Sequence, residues 1–327
     1  MCSIVTDLPS ILSDSQIGFI DPQEMHFGDS RTGFMWRLKK QKEEMDQIPD
    51  QFHPFKGVFD CDDDVFTQGF YNGTLFRFPL RDIASSLSET LYSDEKMQSL
   101  FGSFIADAHL VLLFLRNLEK IELYIREKYE SEPKRIFHAK ITEESLELVR
   151  SKRKEFQNQI EQGKHMQEPV AVTYPITIET QTVDGVQKHS FLTTNYCCGV
   201  DVSRDFENLL TDKELSYLPS VGVAMALRSD VLASPIEGHV FCALPLPVQK
   251  KSMTGLPVHV NGFFALNQNR HYIKTPNADE DDRDKLTDKK QLLWNRCLME
   301  EAVPKAYVMM ITEAINTFKI QPNAVYR

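Results

Sequence analysis

An α+β fold is predicted for this chain on three observations. Val170–Thr182 and Gln187–Cys197 alternate strongly on either side of Val183-Asp184-Gly185-Val186, and Asp-Gly between two alternating runs specifies a β-hairpin. Met97, Leu100, Phe101, Phe104, Ile105, Ala108 and Leu112 recur at spacings of three and four, the period of an amphipathic helix. Val240–Leu246 and Val258–Leu266 are short apolar runs, β-branched or aromatic and bounded by glycine and proline, which read as a pair of buried strands.

The totals bound the function classes. A length of 327 residues holds two compact units, and 42% hydrophobic with 26% charged residues is ordinary for a soluble globular protein. A formal charge of −10 argues against general affinity for nucleic acid or anionic membrane, since both need a cationic face. No apolar run approaches the length of a membrane span, and MCSIVTDLPS lacks the basic and apolar regions of a signal peptide. Six cysteines, at 2, 61, 197, 198, 242 and 297, show no C-x-x-C spacing. Cys197 and Cys198 are neighbours on a predicted strand, so their side chains should face opposite ways and share no metal. Buried, reduced thiols fit a cytoplasmic location.

In chain order, the first unit is expected over residues 1–116. Ser3–Leu12 and Ile17–Asp21 read as short strand and turn pieces, and Arg37–Asp50 as a solvated helix or lid-like loop. Asp60, Asp62 and Asp64 alternate like the opening of a calcium loop, but Val65 and Tyr71 stand where such a loop needs Gly and Glu. An acidic surface loop is the expectation. Asn72-Gly73 is a hairpin signal followed by an alternating strand, Leu75–Phe78. Ser93–Arg116 closes the unit as a helix with Asp94 and Glu95 in its first turn. Asp107 and His109 on it are expected to be surface or a satisfied buried pair.

The second unit, 117–275, should carry a mostly antiparallel or mixed sheet. Lys120–Tyr124 and Arg135–Lys140 are strand-like, and Glu143–Lys164 is a polar helix whose sparse apolar positions (Leu146, Val149, Phe156, Ile160) put it on the surface. The hairpin, Leu215–Val223 and the two apolar runs follow. Pro245 and Pro247 mark where the first run leaves the sheet, and Asn261-Gly262 inside the second is a bulge or bend. Asn267–Arg270 then sets three amides and a guanidinium together, a combination suited to an acceptor-rich group such as a phosphate. Residues 276–327 are read as an acidic linker, Asp279–Asp284, and helices interrupted at Pro304. His138, His165, His189, His239 and His259 show no ligand spacing, so structural or solvent roles are expected and no metal site.

Several of these runs also resemble a family. FCALPLP (Phe241–Pro247), TGLPVHVNGFFALNQNR (Thr254–Arg270), TDLPSILS with IGFIDP, PDQFHPF (Pro49–Phe55), LLFLRNLEKIEL (Leu112–Leu123) and LLWNRCLMEEAVPKAY together resemble the large repeats of sacsin. Those repeats begin with a nucleotide-site fold like that of the heat-shock chaperones. The resemblance implies a remnant of that ATPase domain over 1–116, a transducer-like middle domain over 117–275 and C-terminal helices beyond. It also casts Gly73-Thr74 as the last element of an ATP site, where the threonine hydroxyl helps hold the adenine-binding carboxylate and water. The structural alternative, turn and strand, stands beside it. By the same analogy Arg270 is a cation that reaches a γ-phosphate, against the alternative of local pairing or turn capping. Here Asn269-Arg270-His271 replaces the Asn-Arg-Arg of the family pattern, which halves the basic pair. No D-x-G-x-G, G-x-G-x-x-G or G-x-x-x-x-G-K occurs in the chain. The family resemblance therefore implies a co-chaperone or scaffold that binds other proteins, heat-shock chaperones or client chains. It is expected to be no enzyme and to carry no cofactor, with ATP and magnesium entering only if another chain or upstream residues complete the site.

Overall fold

The computed structural model describes residues 5–28, 30–130, 132–163, 168–215, 217–227, 237–246, 253–268, 270–275 and 286–318. The fold is α+β, and the chain divides into two compact units. One comprises 1–104 with 125–134, the other 105–124 with 135–327.

The first unit is built on an antiparallel sheet of β1 (Ser10–Asp14), β2 (Gln16–Ile20), β3 (Gly33–Arg37) and β4 (Tyr71–Arg77), in the order β3-β2-β1-β4. Between β3 and β4 the chain makes three short helices, α1 (Lys42–Met45), α2 (Pro49–Phe52) and α3 (Asp63–Gln68). Leu12, Ile17, Phe19, Trp36, Phe52 and Phe55 form the core under that sheet. Phe19 meets Trp36 edge-on at 5.6 Å and Phe52 at 6.1 Å, the packing that aromatic quadrupoles favour. Arg37–Asp50 is thus partly anchored, because Met45 at its centre is buried. The Asp60, Asp62, Asp64 alternation has a structural use: the Asp62 carboxylate caps α3 by accepting from the backbone N–H of Asp64 (2.9 Å) and Val65 (3.3 Å). Arg81, 6% exposed, donates through Nε to Asp7 Oδ1 at 2.9 Å, and Ser85 Oγ donates to the same oxygen. The guanidinium beside it holds the Asp7 carboxyl below the usual carboxylate range.

The Asn-Gly signal at 72–73 makes no hairpin. β4 runs straight through it against β1, with Ser13 opposite Thr74 and Asp14 opposite Tyr71, so Asn72 and Gly73 are extra residues in a bulge. Gly73 takes φ 155° there, and a Cβ would sit 3.4 Å from the Tyr71 ring. β1 pairs with β4 on both sides of the Asn-Gly step, so the turn residues are accommodated as the bulge.

α4 (Asp94–Phe114) runs from residues of the first unit into the second. By length and composition alone it is apolar enough to cross a membrane, but Ala108, Leu110, Leu112 and Leu113 lie in the second unit's core. That unit continues with β5 (Lys120–Ile125), β6 (Lys134–Ile141), α5 (Glu143–Glu161), β7 (Val170–Thr182), β8 (Gly185–Cys197), α6 (Arg204–Leu210) and β9 (Ser220–Ala226). β10 (Val240–Cys242), β11 (Leu244–Pro245), β12 (Val258–Gly262), α7 (Leu286–Cys297) and α8 (Val303–Phe318) complete it. The strands form one mixed sheet, β11-β10-β12-β9-β8-β7-β6-β5, in which β10 and β12 are parallel.

Strand parity sorts the core onto two faces. Tyr174, Ile176, Ile178, Phe191, Cys197 and Phe241 pack under α4 and α5, while Leu192, Cys198, Val221, Val260 and Phe264 pack under α6, α7 and α8. Cys197 and Cys198 therefore do face opposite ways, and burial pushes each thiol up to about 12. α5 lies on the sheet by a face of Val149, Arg153 and Phe156 rather than standing free as a surface helix. Residues 286–318, which the sequence sets apart as part of a tail, place Trp294, Leu298, Ala306 and Met310 in this same core. The interruption expected at Pro304 is a π-helical turn, Leu298–Ala302, which separates α7 from α8 directly before it. Pro245 sits on the short edge strand β11, where a missing donor costs least. Pro247 and the acidic run Asp279–Asp284 lie outside the described residues.

Candidate functional site

Gly73 and Thr74 fall in the first unit and Arg270 in the second, so each has its own setting. Thr74 is exposed on β4, its hydroxyl 2.8 Å from Ser13 Oγ, which in turn donates to Gly73 O at 3.2 Å. The threonine hydroxyl takes part in a hydrogen bond across the β1–β4 ladder. Arg270 is exposed in a turn at φ 57°, its backbone N–H donating to Asn267 O at 2.9 Å. Asn267, 7% exposed, is the organiser of that turn, because its Oδ1 accepts from the N–H of His271 (2.8 Å) and Tyr272 (3.2 Å). One of the three amides is thus committed to the backbone, and Asn269 lies outside the described residues.

A pocket that the sequence did not anticipate opens in the second unit at the C-terminal end of α4. Its volume is about 330 Å³ and its walls are Leu113–Arg116, Arg153 and Phe156 on the helix side. Tyr174, Asn195, Ser220, Val221, Cys242, Ala243 and Asn261–Phe263 close the sheet side. The geometry depends on Gly222, where a Cβ would come within 2.9 Å of the Phe114 ring. Arg153, 8% exposed, is fixed by the end of α4: Nη2 donates to Leu112 O at 2.7 Å and Leu113 O at 3.4 Å, and Nη1 to Arg116 O at 3.5 Å. It satisfies helix carbonyls that have no partner in the helix, and it sets a cation against the negative end of the dipole. Asn195 Nδ2 donates to the Tyr174 hydroxyl at 3.1 Å, and Asn261 Oδ1 accepts from the Ala243 N–H at 2.9 Å, fixing the reversal between β10 and β11.

Among the described residues two arginines and no carboxylate line this pocket, with Phe114, Phe156 and Phe263 as apolar walls. Chemically it suits a small group that accepts hydrogen bonds against an apolar body. No nucleophile is prepared in it. Cys242 borders the pocket, but burial raises its thiol, which donates to Phe264 O at 3.6 Å.

Four of the nine histidines lie near one another. His109 of α4 stacks on His189 of β8 with ring centroids 4.1 Å apart. The His259 ring of β12 lies 5.6 Å from the His239 ring, and the backbone N–H of His239 donates to His259 Nδ1 at 3.2 Å. Burial first, then the neighbouring imidazoles, pushes His109 down to about 3, and burial with His239 brings His259 to about 4. Among the described residues no group of three His, Cys, Asp or Glu side chains is set to hold a metal ion.

The model of the Sacsin domain family matches residues 2–138. Human sacsin is 36% identical over 332 aligned residues, a match covering 98% of this chain and 7% of that protein. The chain therefore spans a small fraction of the curated relative's length.

Proposed function

Because the chain carries a sacsin-type region, we propose that it works as a co-chaperone or scaffold module in protein quality control. In this reading it binds other proteins in the cytoplasm, heat-shock chaperones or client chains, and hydrolyses no ATP of its own. The observation that carries the reading is the setting of Thr74. Its hydroxyl, which an ATP site would use, is held by Ser13, and no D-x-G-x-G loop exists in the chain to supply the adenine-reading carboxylate. Protein binding draws further support from Phe76 and Phe78, 54% and 39% exposed, whose rings stack 6.1 Å apart where the first unit's sheet ends at β4 and the chain leaves it. An exposed aromatic pair at the edge of a sheet suits an extended partner chain.

Calorimetry of magnesium-ATP binding, on this chain and on its Thr74→Val and Arg270→Ala variants, tests the reading. No binding heat is expected from any of the three. Saturable heat that both substitutions abolish would replace it with a nucleotide site in which these residues take part.

A further inference from the structure

Four imidazoles converge on one face of the second unit's sheet, and the function proposed above makes no use of them. His109 comes from α4, His189 from β8, His259 from β12 and His239 from the residue before β10. On the three strand segments their odd numbers share parity with Phe191 and Phe241, which pack under α4. The rings form a continuous group: His109 on His189 at 4.1 Å, His109 to Phe191 at 6.3 Å, Phe191 to His259 at 6.0 Å and His259 to His239 at 5.6 Å. His259 is 4% exposed and the others are half-buried.

None of the four makes an ion pair with a carboxylate among the described residues; Glu237, two residues before His239, is exposed to solvent. β7 offers the Thr180 hydroxyl, 3.2 Å from His189 Nε2, and β9 offers Ala224 and Ala226. Glu179 of β7 belongs to the opposite face of the sheet, where it meets His138 and Lys140; Lys188, its cross-strand neighbour on β8, is on that side too. Asp107 on α4 is two residues from His109, about 200° around the helix. Arg116 and Arg153 stand at the far end of the same helix and add positive charge.

We propose that this imidazole cluster is an acid-sensitive latch that holds the second half of α4, Ile105–Phe114, on β8 and β12 while neutral and releases it when protonated. Neutral rings stack and pack as apolar discs. Once charged, His109 and His189, stacked 4.1 Å apart, repel, as do His239 and His259 at 5.6 Å, and burial penalises the cations further.

The sign follows from linkage. His109 at about 3 and His259 at about 4 lie below the value of about 6.5 for a free imidazole, so the closed state is fully favoured above pH 6.5. That preference is lost as pH falls toward 4, because opening then takes up protons. With two such groups, lowering the pH from about 7.4 to about 5.5 raises the opening constant about a hundredfold.

Hydrogen–deuterium exchange on the full chain at those two pH values, corrected for intrinsic rates, tests this. Protection in the α4 peptide Ile105–Phe114 should fall about a hundredfold at the lower pH while the β7–β8 hairpin keeps its own. His109→Phe combined with His259→Asn, which keeps the stack and an acceptor for the His239 N–H, should cut that fall to about threefold or less. An unchanged fall in the double variant overturns the latch, as does equal loss across the whole unit. Should the variant not fold, titration of the imidazole proton signals of the unaltered chain decides: His109 and His259 charging at the free-imidazole value overturns it.

Discussion

Arg153 gives the most direct test of how the second unit is held. It is a buried cation held by the carbonyls of Leu112, Leu113 and Arg116, and after Arg150 its charge helps to hold the Glu119 carboxyl below the usual range. Replacing it by Met keeps most of the volume and the apolar stem that packs between Val149 and Phe156, and removes only the guanidinium. A hydrogen bond from a charged donor contributes roughly 1.5–3 kcal/mol, and a buried carbonyl left bare costs about 1–3 kcal/mol. The bond to Leu112 O at 2.7 Å is strong, while those at 3.4 and 3.5 Å are at the limit of the interaction. Arg153→Met should therefore lower the stability of this unit by about 2–4 kcal/mol, with Arg153→Lys between it and the native chain because an ammonium cannot fork. The chain has two tryptophans, Trp36 in the first unit and Trp294 in the second. Urea unfolding followed by fluorescence in a Trp36→Phe background therefore reports on the second unit. A loss below about 1 kcal/mol would refute the reasoning, since the guanidinium would then be capping nothing that water does not cap equally well.

Two further outcomes follow from local geometry. Ser203 caps α6 by accepting from the Phe206 N–H at 3.2 Å while donating to Glu301 Oε1 at 2.6 Å, so Ser203→Ala should cost about 1–2 kcal/mol in the same urea assay. Cys197 and Cys198, both buried with thiols pushed up to about 12, should resist iodoacetamide at pH 8 in the native chain and react fully in urea; modification at the rate of a free thiol would contradict their placement.

The parts of this fold that sequence reasoning reached are those set by local pattern. The β7–β8 hairpin follows from alternation around Asp184-Gly185, and the opposite facing of Cys197 and Cys198 follows from strand parity alone. α4 follows from apolar period, and α5 from a proline-free polar run that ends at Gly163. What sequence missed depended on neighbours. Asn72-Gly73 carries the strongest short turn signal in the first unit, yet β1 was available to pair on both sides of it, and the extra residues became a bulge. Arg153 was passed over because α5 reads as polar, although 149, 153 and 156 are one stripe and an arginine in the middle of a buried stripe requires acceptors nearby.

The histidines make the same point more sharply. Positions 109, 189, 239 and 259 have no ligand spacing, and none was to be found, because spacing reports only on neighbours along one helix or strand. Their meeting is fixed by the sheet order: β12 lies between β10 and β9, and β9 brings β8 alongside. Parity, however, was legible. In two segments the histidine stands two residues before an aromatic core position, His189 before Phe191 and His239 before Phe241, while His259 alternates with Val258 and Val260 and so turns to the other face. A histidine on the core parity of a strand must either find a partner or stay neutral. When three such positions belong to one sheet and a fourth faces them from the helix above, remaining neutral becomes a shared condition, and the stability of that face becomes a function of pH.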